Sequence, residues 1–199
     1  MADDHAHVRD FFAARAADWD TRFPDDAPAF ADAVSALGLR ANDAVLDAGC
    51  GTGRALPFLR AAVGPGGTVL GADLTAAMLQ AAVRAGRDRC GPLIQADAAR
   101  LPLRSRTLDA VFAAGLISHL SRPGPDLAEL ARVVRPGGRL ALFHPIGRAA
   151  LAARHGRALT DDDLRAESNL RPLLADSGWR LYSYADEEAR FLALAERMA

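Results

Sequence analysis

The sequence contains no lysine; all 24 of its basic residues are arginine. A Schiff-base mechanism, which needs a lysine amine, is therefore excluded, as is a phosphate loop ending in Gly-Lys-Ser/Thr. Cysteine is nearly absent too. Cys50 and Cys90 alone make neither a disulfide framework nor the four-ligand set usual for structural zinc, so no metal site is expected. Charge of neither sign dominates: 24 basic against 25 acidic residues leave a net charge of -1, a poor match to a polyanion-binding surface or to intrinsic disorder. No apolar run approaches the roughly 18 residues of a membrane span, and the polar start Met1 to His7 has no apolar core behind it. The expectation is a cytoplasmic protein without a membrane or nucleic-acid partner.

What is present is one domain's worth of chain, 199 residues of which half are apolar. After a helical opening, short apolar runs alternate with helical stretches, the pattern of a parallel sheet covered by helices on both faces. Five successive strands are predicted at Ala44–Leu46, Thr68–Ala72, Leu93–Ala96, Leu108–Ala113 and Arg139–Phe143. Leu127, Leu130 and Val134 stand at helical spacing, and that helix is expected to stop at Arg135-Pro136-Gly137-Gly138. A hairpin is read at Trp179–Tyr184 and Arg190–Leu194, separated by Asp186-Glu187-Glu188, and residues 145–160 read as the most loop-like part of the second half.

The sharpest local signal is Val45-Leu46-Asp47-Ala48-Gly49-Cys50-Gly51-Thr52-Gly53, a strand running into glycines at alternate positions. Such glycines let the backbone turn tightly and approach a ligand. The dinucleotide fingerprint wants Gly or Ala three places after the second glycine, where this chain has Arg54, so a ligand without a pyrophosphate fits better. The second strand ends in Asp73, whose two oxygens suit ribose hydroxyls and equally suit the cap of a helix over Thr75–Gly86. The third strand is followed by Asp97-Ala98, a second carboxylate at the same edge. Together these strand ends describe a nucleoside-shaped site.

In order and spacing, Val45 to Gly53, Asp73-Leu74 with Met78-Leu79, Asp97-Ala98, Leu108-Asp109-Ala110-Val111 and Arg132 to Gly138 resemble the motifs of class I S-adenosylmethionine (SAM) dependent methyltransferases. The resemblance covers about residues 10–145 and is closest to the small-molecule branch that contains the quinone-biosynthesis enzymes. It implies a Rossmann-like, doubly wound α/β fold with a seven-stranded, mostly parallel sheet whose last strand is antiparallel. It also implies a single domain: a helical cap over 1–38, a SAM-binding core over 39–145, and a C-terminal helix and strand pair over 146–199. Carried across, Gly49, Cys50, Gly51 and Gly53 would border the methionine part of SAM, with Asp47 near its amino group. Asp73 would hold the ribose, Leu74 and Met78 would flank the adenine, and Asp97 and Ala98 would meet its amino edge. Ala114 replaces a frequent Asn and keeps only backbone contact. Cys50 also reads as a small packed thiol, at the opposite sheet edge from Cys90.

Methyl transfer is an in-line displacement in which positioning can supply most of the acceleration, and a base helps when the acceptor is a hydroxyl. His119 and His144 follow the fourth and fifth strands and are the candidate bases, whereas His5, His7 and His155 read as solvated. Phe12, Arg15, Trp19 and Phe23 form one helical face that packs on the domain; the resemblance adds that Trp19 would close over SAM. Ala113-Ala114-Gly115-Leu116 lacks the Asn/Asp-Pro-Pro-aromatic run of nucleic-acid methyltransferases, and the segment lacks the paired glutamates of protein arginine methylation. The leading expectation is methyl transfer from SAM, yielding S-adenosylhomocysteine (SAH), to an O, N or C atom of a small molecule by a monomer or homodimer. The alternative is a SAM-binding protein without transferase activity.

Overall fold

The computed structural model describes residues 2–22 and 26–199, with side chains from residue 6 onward. Phe23 of the opening aromatic face and the side chain of His5 lie outside the described residues. In chain order the elements are α1 (Ala2–Ala13), α2 (Ala27–Leu37), β1 (Ala44–Ala48), α3 (Leu56–Val63), β2 (Thr68–Asp73), α4 (Ala76–Arg84), β3 (Leu93–Gln95), β4 (Leu108–Ala114), α5 (Pro123–Val133), β5 (Val134–His144), α6 (Arg148–Arg154), α7 (Glu167–Asp176), β6 (Trp179–Glu187) and β7 (Arg190–Arg197). Short 3-10 turns cover Asp20–Arg22, Arg87–Cys90 and Leu116–His119.

The strands form one seven-stranded sheet in the order β3-β2-β1-β4-β5-β7-β6. The first five run parallel, and β7 is antiparallel to both of its neighbours. Alternation within each strand separates two apolar layers. Leu46, Val111, Leu140 and Leu142 pack with Leu127 and Leu130 of α5 and Leu170 and Leu174 of α7. Val45, Phe112 and Phe143 face the other way, onto Phe30 and Val34 of α2 and Leu56 and Leu59 of α3. Each such side chain taken fully out of water stabilises the fold by about 1.5–3 kcal/mol.

Helix α2 shows how local sequence serves this packing. Phe30, Ala33, Val34 and Leu37 are its buried residues, at spacings of three, one and three. Gly38 ends it in the left-handed region at φ 68°, and its N–H donates to the Ser35 carbonyl. The chain order turns back between β1 and β4, and at that point an open sheet leaves a crevice beyond the carboxyl ends of its strands.

Several boundaries differ from expectation. Val134 is the first residue of β5 and not part of the preceding helix: it pairs with Leu108, and the register then shifts before Ala110 meets Arg139. The Pro-Gly-Gly segment is thus taken up as an irregularity within a long strand. Residues 148–154, inside the expected loop, form α6, a helix with no buried residue, so no apolar periodicity announced it. The C-terminal part accordingly has two helices before its hairpin. Glu187 belongs to β6, pairing with Arg190 across the turn.

Trp179 opens β6 fully buried, and its indole N–H donates to the Leu127 carbonyl at 3.0 Å. Trp179→Phe keeps most of the volume but removes that donor, and should lower unfolding stability by about 1–3 kcal/mol, read from urea melts with an unchanged m-value.

Candidate ligand-binding site

The site begins where β1 ends. Gly49, Gly51 and Gly53 have φ of 67°, 54° and 78°, a left-handed conformation costly for any residue with a Cβ. Gly53 donates its N–H to the Cys50 carbonyl at 2.8 Å, and Cys50 donates to the Ala72 carbonyl at 2.9 Å, so the loop folds back against β2. A Cβ built on Gly51 would meet nothing within 4 Å, while one on Gly49 would come within 3.0 Å of Leu116 and one on Gly53 within 2.8 Å of Leu56. Gly51 therefore faces open space, and Gly53 is a packing glycine.

That open space is a cavity of about 1030 Å³ beyond the carboxyl ends of β1–β5. Its volume is at the top of the range of about 300–1,000 Å³ usual for small-molecule sites, enough for more than one ligand. Gly49, Cys50 and Gly51 line it with Asp47; Asp73, Leu74 and Met78 line it from β2 and α4. Asp97 and Ala98 after β3, Ala114 at the end of β4, and Trp19, His119 and His144 complete the set. Every expected site residue is brought to this wall except Gly53, which lies behind the loop because its φ and its contact with Leu56 belong to the turn itself.

Asp73 has both of its carboxylate oxygens engaged by backbone. One accepts from the Thr75 N–H at 2.7 Å in the turn before α4, and the other accepts from the Gly51 N–H at 2.7 Å. Asp73 is not the helix cap, since Thr75 holds the N-cap position of α4; its side chain instead joins the turn before that helix to the glycine loop. Asp47 is the opposite case: it is 1% exposed, and its Oδ2 has no hydrogen-bond partner among the described residues. Burial first, and then the charge of Asp73, push its pKa up to about 8. Burial followed by these two carboxylates pushes the Cys50 thiol up as well, so it is packed and not nucleophilic. Both cysteines are free.

Residues 11–22 lie across the cavity. The rings of Phe12 and Trp19 meet at 5.4 Å, and Phe12 and His119 at 5.0 Å, both edge-on. His119 keeps much of its surface in solvent, but the crowding around it lowers its pKa. Burial likewise lowers that of His144, whose Nδ1 lies 2.9 Å from the Ile146 carbonyl oxygen and 3.1 Å from the Ile146 amide nitrogen. Both imidazoles are thus biased toward the neutral form.

The sequence did not disclose what ties the opening segment to the loop. Thr52 Oγ1 donates to Asp20 at 2.6 Å, and Arg87 reaches both Asp20, at 2.6 Å, and the Thr52 carbonyl, at 2.7 Å. Arg54, the residue that argued against a dinucleotide, pairs with Asp26 at 3.1 Å and stands over the Phe30 ring. These partners are at least 28 positions apart, and Arg87 and Asp20 far more, with no periodic pattern linking them, so spacing carried no signal.

Residues 46–142 match the family described as "Methyltransferase domain". A ubiquinone/menaquinone biosynthesis C-methyltransferase of Pseudomonas savastanoi pv. phaseolicola is 35% identical over 116 residues, which cover 54% of this chain and 44% of that protein. The chain spans less than half the length of the first curated relatives it matches. Among solved structures, a Haloferax volcanii methyltransferase in complex with the Trm112 methyltransferase activator superposes with a TM-score of 0.79 at 20% identity, covering 96% of this chain and 98% of that one. Magnesium protoporphyrin IX methyltransferase of Synechocystis PCC 6803, solved with bound SAH, gives 0.71 at 21% identity, over 98% of this chain and 99% of that one. At those identities the two structures speak for the fold. Residues 46–142, just under half of the chain, hold the glycine loop and the strand ends that line the cavity, and it is this segment that carries the similarity to the class I SAM-dependent methyltransferases.

Proposed function

We propose that the chain transfers a methyl group from SAM to a small-molecule acceptor. The observation that carries this reading is the Asp47 carboxyl group, buried at the cavity wall with an oxygen that no group among the described residues satisfies. A buried acceptor left unpaired costs about 1–3 kcal/mol, and a ligand ammonium is the partner that would offset it. Asp73, with lone pairs to spare beyond its two backbone bonds, would hold ribose hydroxyls. Asp97 and Ala98 would meet the adenine amine, and Leu74 and Met78 its faces. Trp19 would cover the ligand, Gly49 and Gly51 would border its methionine part, and Ala114 would offer backbone alone.

Bound there, SAM supplies a methyl carbon made electrophilic by a sulfonium. The chain's own contribution is to hold the acceptor at near-attack distance in a site closed by α1 and the aromatic residues after it. Where the acceptor atom is a hydroxyl, His144 takes its proton: with Nδ1–H directed to the Ile146 carbonyl, Nε2 carries the lone pair. His119, edge-on to Phe12, is the second candidate base and also supports the closing segment. A small-molecule acceptor is favoured by the enclosed cavity and by the name of the quinone-biosynthesis relative. No helix among the described residues is long and apolar enough to cross a membrane.

Calorimetry should show binding of SAM and SAH but not of NAD; NAD binding with none for SAM would overturn the reading. Because free Asp47 titrates near pH 8, it is largely protonated at pH 7, and an ammonium partner favours its ionised form. Binding should therefore release close to one proton at pH 7, seen as a dependence of the heat on buffer ionisation enthalpy, and affinity should rise with pH up to about 8.

Asp47→Asn should lower SAM affinity by about tenfold or more, yet raise unfolding stability. The sign follows from the raised pKa: between the ordinary carboxyl value of 3.8 and about 8 the folded state holds a proton that the unfolded chain has released, so wild-type stability falls with pH across that window and the variant's advantage grows. Thermal melts of both proteins at pH 5 and pH 8 measure it. For a hydroxyl acceptor, His144→Ala should slow turnover by about 10²- to 10⁴-fold with SAM affinity unchanged. Near-normal turnover would assign catalysis to positioning alone.

A further inference from the structure

The cavity wall is divided by charge. At the strand ends and the start of α5 stand Asp47, Asp73, Asp97 and Asp126, with His144 closing β5; Arg15, Arg22, Asp26 and Arg54 come from the opening segment and the glycine loop, where Arg22 pairs with Asp18 and Arg54 with Asp26; and the segment after β5 contributes Arg154, His155, Arg157 and Arg165. The acidic half suits a cationic ligand. The basic half has no use in holding one, and its charge is only partly neutralised within the protein. Asp163 lies on this side too, but it is shared between Arg165, at 3.2 Å, and Arg148, at 3.1 Å, and Arg148 also reaches Asp186 at 3.3 Å. Arg154 and Arg157 make no ion pair or side-chain hydrogen bond among the described residues, though both line the cavity. Arg165 has a buried Nη1 with no acceptor. The wall also has apolar side chains, among them Phe12, Leu116 and Ile146, with Leu151 and Leu159 flanking the two arginines in sequence.

We propose that the acceptor is an organic carboxylate with an apolar or aromatic body, its charge held by Arg154 and Arg157 and its body by the apolar side chains of the same cavity wall. This rests on the methyltransferase reading and specifies its substrate class. A planar guanidinium meets a carboxylate in two parallel hydrogen bonds, and a partly enclosed site strengthens them. The Asp163 carboxylate alongside selects a monoanion over a dianion such as a phosphate monoester. The division of charge also orients the acceptor, placing its anionic end away from Asp47 and Asp73 and its apolar body toward the cofactor half.

Benzoate, benzamide and phenyl phosphate serve as probes, titrated calorimetrically into the protein with and without saturating SAH. The expected result is binding of benzoate about tenfold tighter than benzamide, with the preference weakened by salt and absent from the Arg154→Gln/Arg157→Gln double variant. Both arginines are exposed, so that variant should fold, and its SAH affinity should equal that of wild type. Absent or equal binding of benzoate and benzamide, a preference that survives in the double variant, or tighter binding of phenyl phosphate would each overturn the proposal. A double variant that loses SAH affinity would overturn it differently, by assigning the two arginines to the cofactor's own carboxylate. If wild type binds no SAH, the methyltransferase reading fails, and the titrations without SAH still read the anion site by itself.

Discussion

The site depends on one carboxylate. Asp73 accepts the N–H of Gly51 with one oxygen and that of Thr75 with the other, joining the loop after β1 to the turn after β2. Besides the Cys50 N–H bond to the Ala72 carbonyl, this carboxylate is what ties the two segments together. With Asp73 in place the left-handed glycines have a fixed course and Gly51 fronts the cavity. The same charge, close to Asp47 in a dry wall, helps to hold that second carboxyl protonated. Two acids in one apolar pocket cannot both be ionised cheaply, and a cationic ligand relieves the conflict.

The covering segment is held by weaker means. Arg87 and Asp20 keep 21% and 37% of their side-chain surfaces in solvent, so their pair is worth only about 0–1 kcal/mol. The Arg54–Asp26 pair is better shielded but lies on the same side of the loop. Residues 11–22 therefore sit over the cavity on a few polar contacts and the edge-on pair of Phe12 with His119, the Phe12–Trp19 pair being internal to the segment. Such a closure opens at small cost in free energy, as a site needs that must admit one ligand and release another.

How much of this could be read in advance varied with the physical signal. The five parallel strands were legible because each is a short apolar run bounded by turn residues, and the glycine loop because its residue types leave few alternatives. Val134 was misassigned because an apolar residue after a helix serves equally as the first residue of a strand, and only pairing with Leu108 decides between them. Helix α6 escaped because it buries nothing, so it has no face to betray it. In the site, residues at strand ends were foreseeable, since topology alone carries them to one edge. The engagement of both Asp73 oxygens was not, nor the Asp20–Thr52–Arg87 contact, because hydrogen bonds across loops depend on distances that no local pattern encodes.

The position of β7 has a consequence for how the cavity is assembled. β5 carries His144 and is paired on one side by β4 and on the other by β7, where His144 stands opposite Phe191. During synthesis, residues 134–144 leave the ribosome about 50 residues before the strand that completes them. Until β7 slots between β5 and β6, the nascent sheet presents an apolar edge at its most site-critical strand, and long-range closures of this kind are slow to form. The cavity lining itself comes from residues up to Arg165, so what the last hairpin supplies is the partner strand that covers the edge of β5 and holds His144 in register.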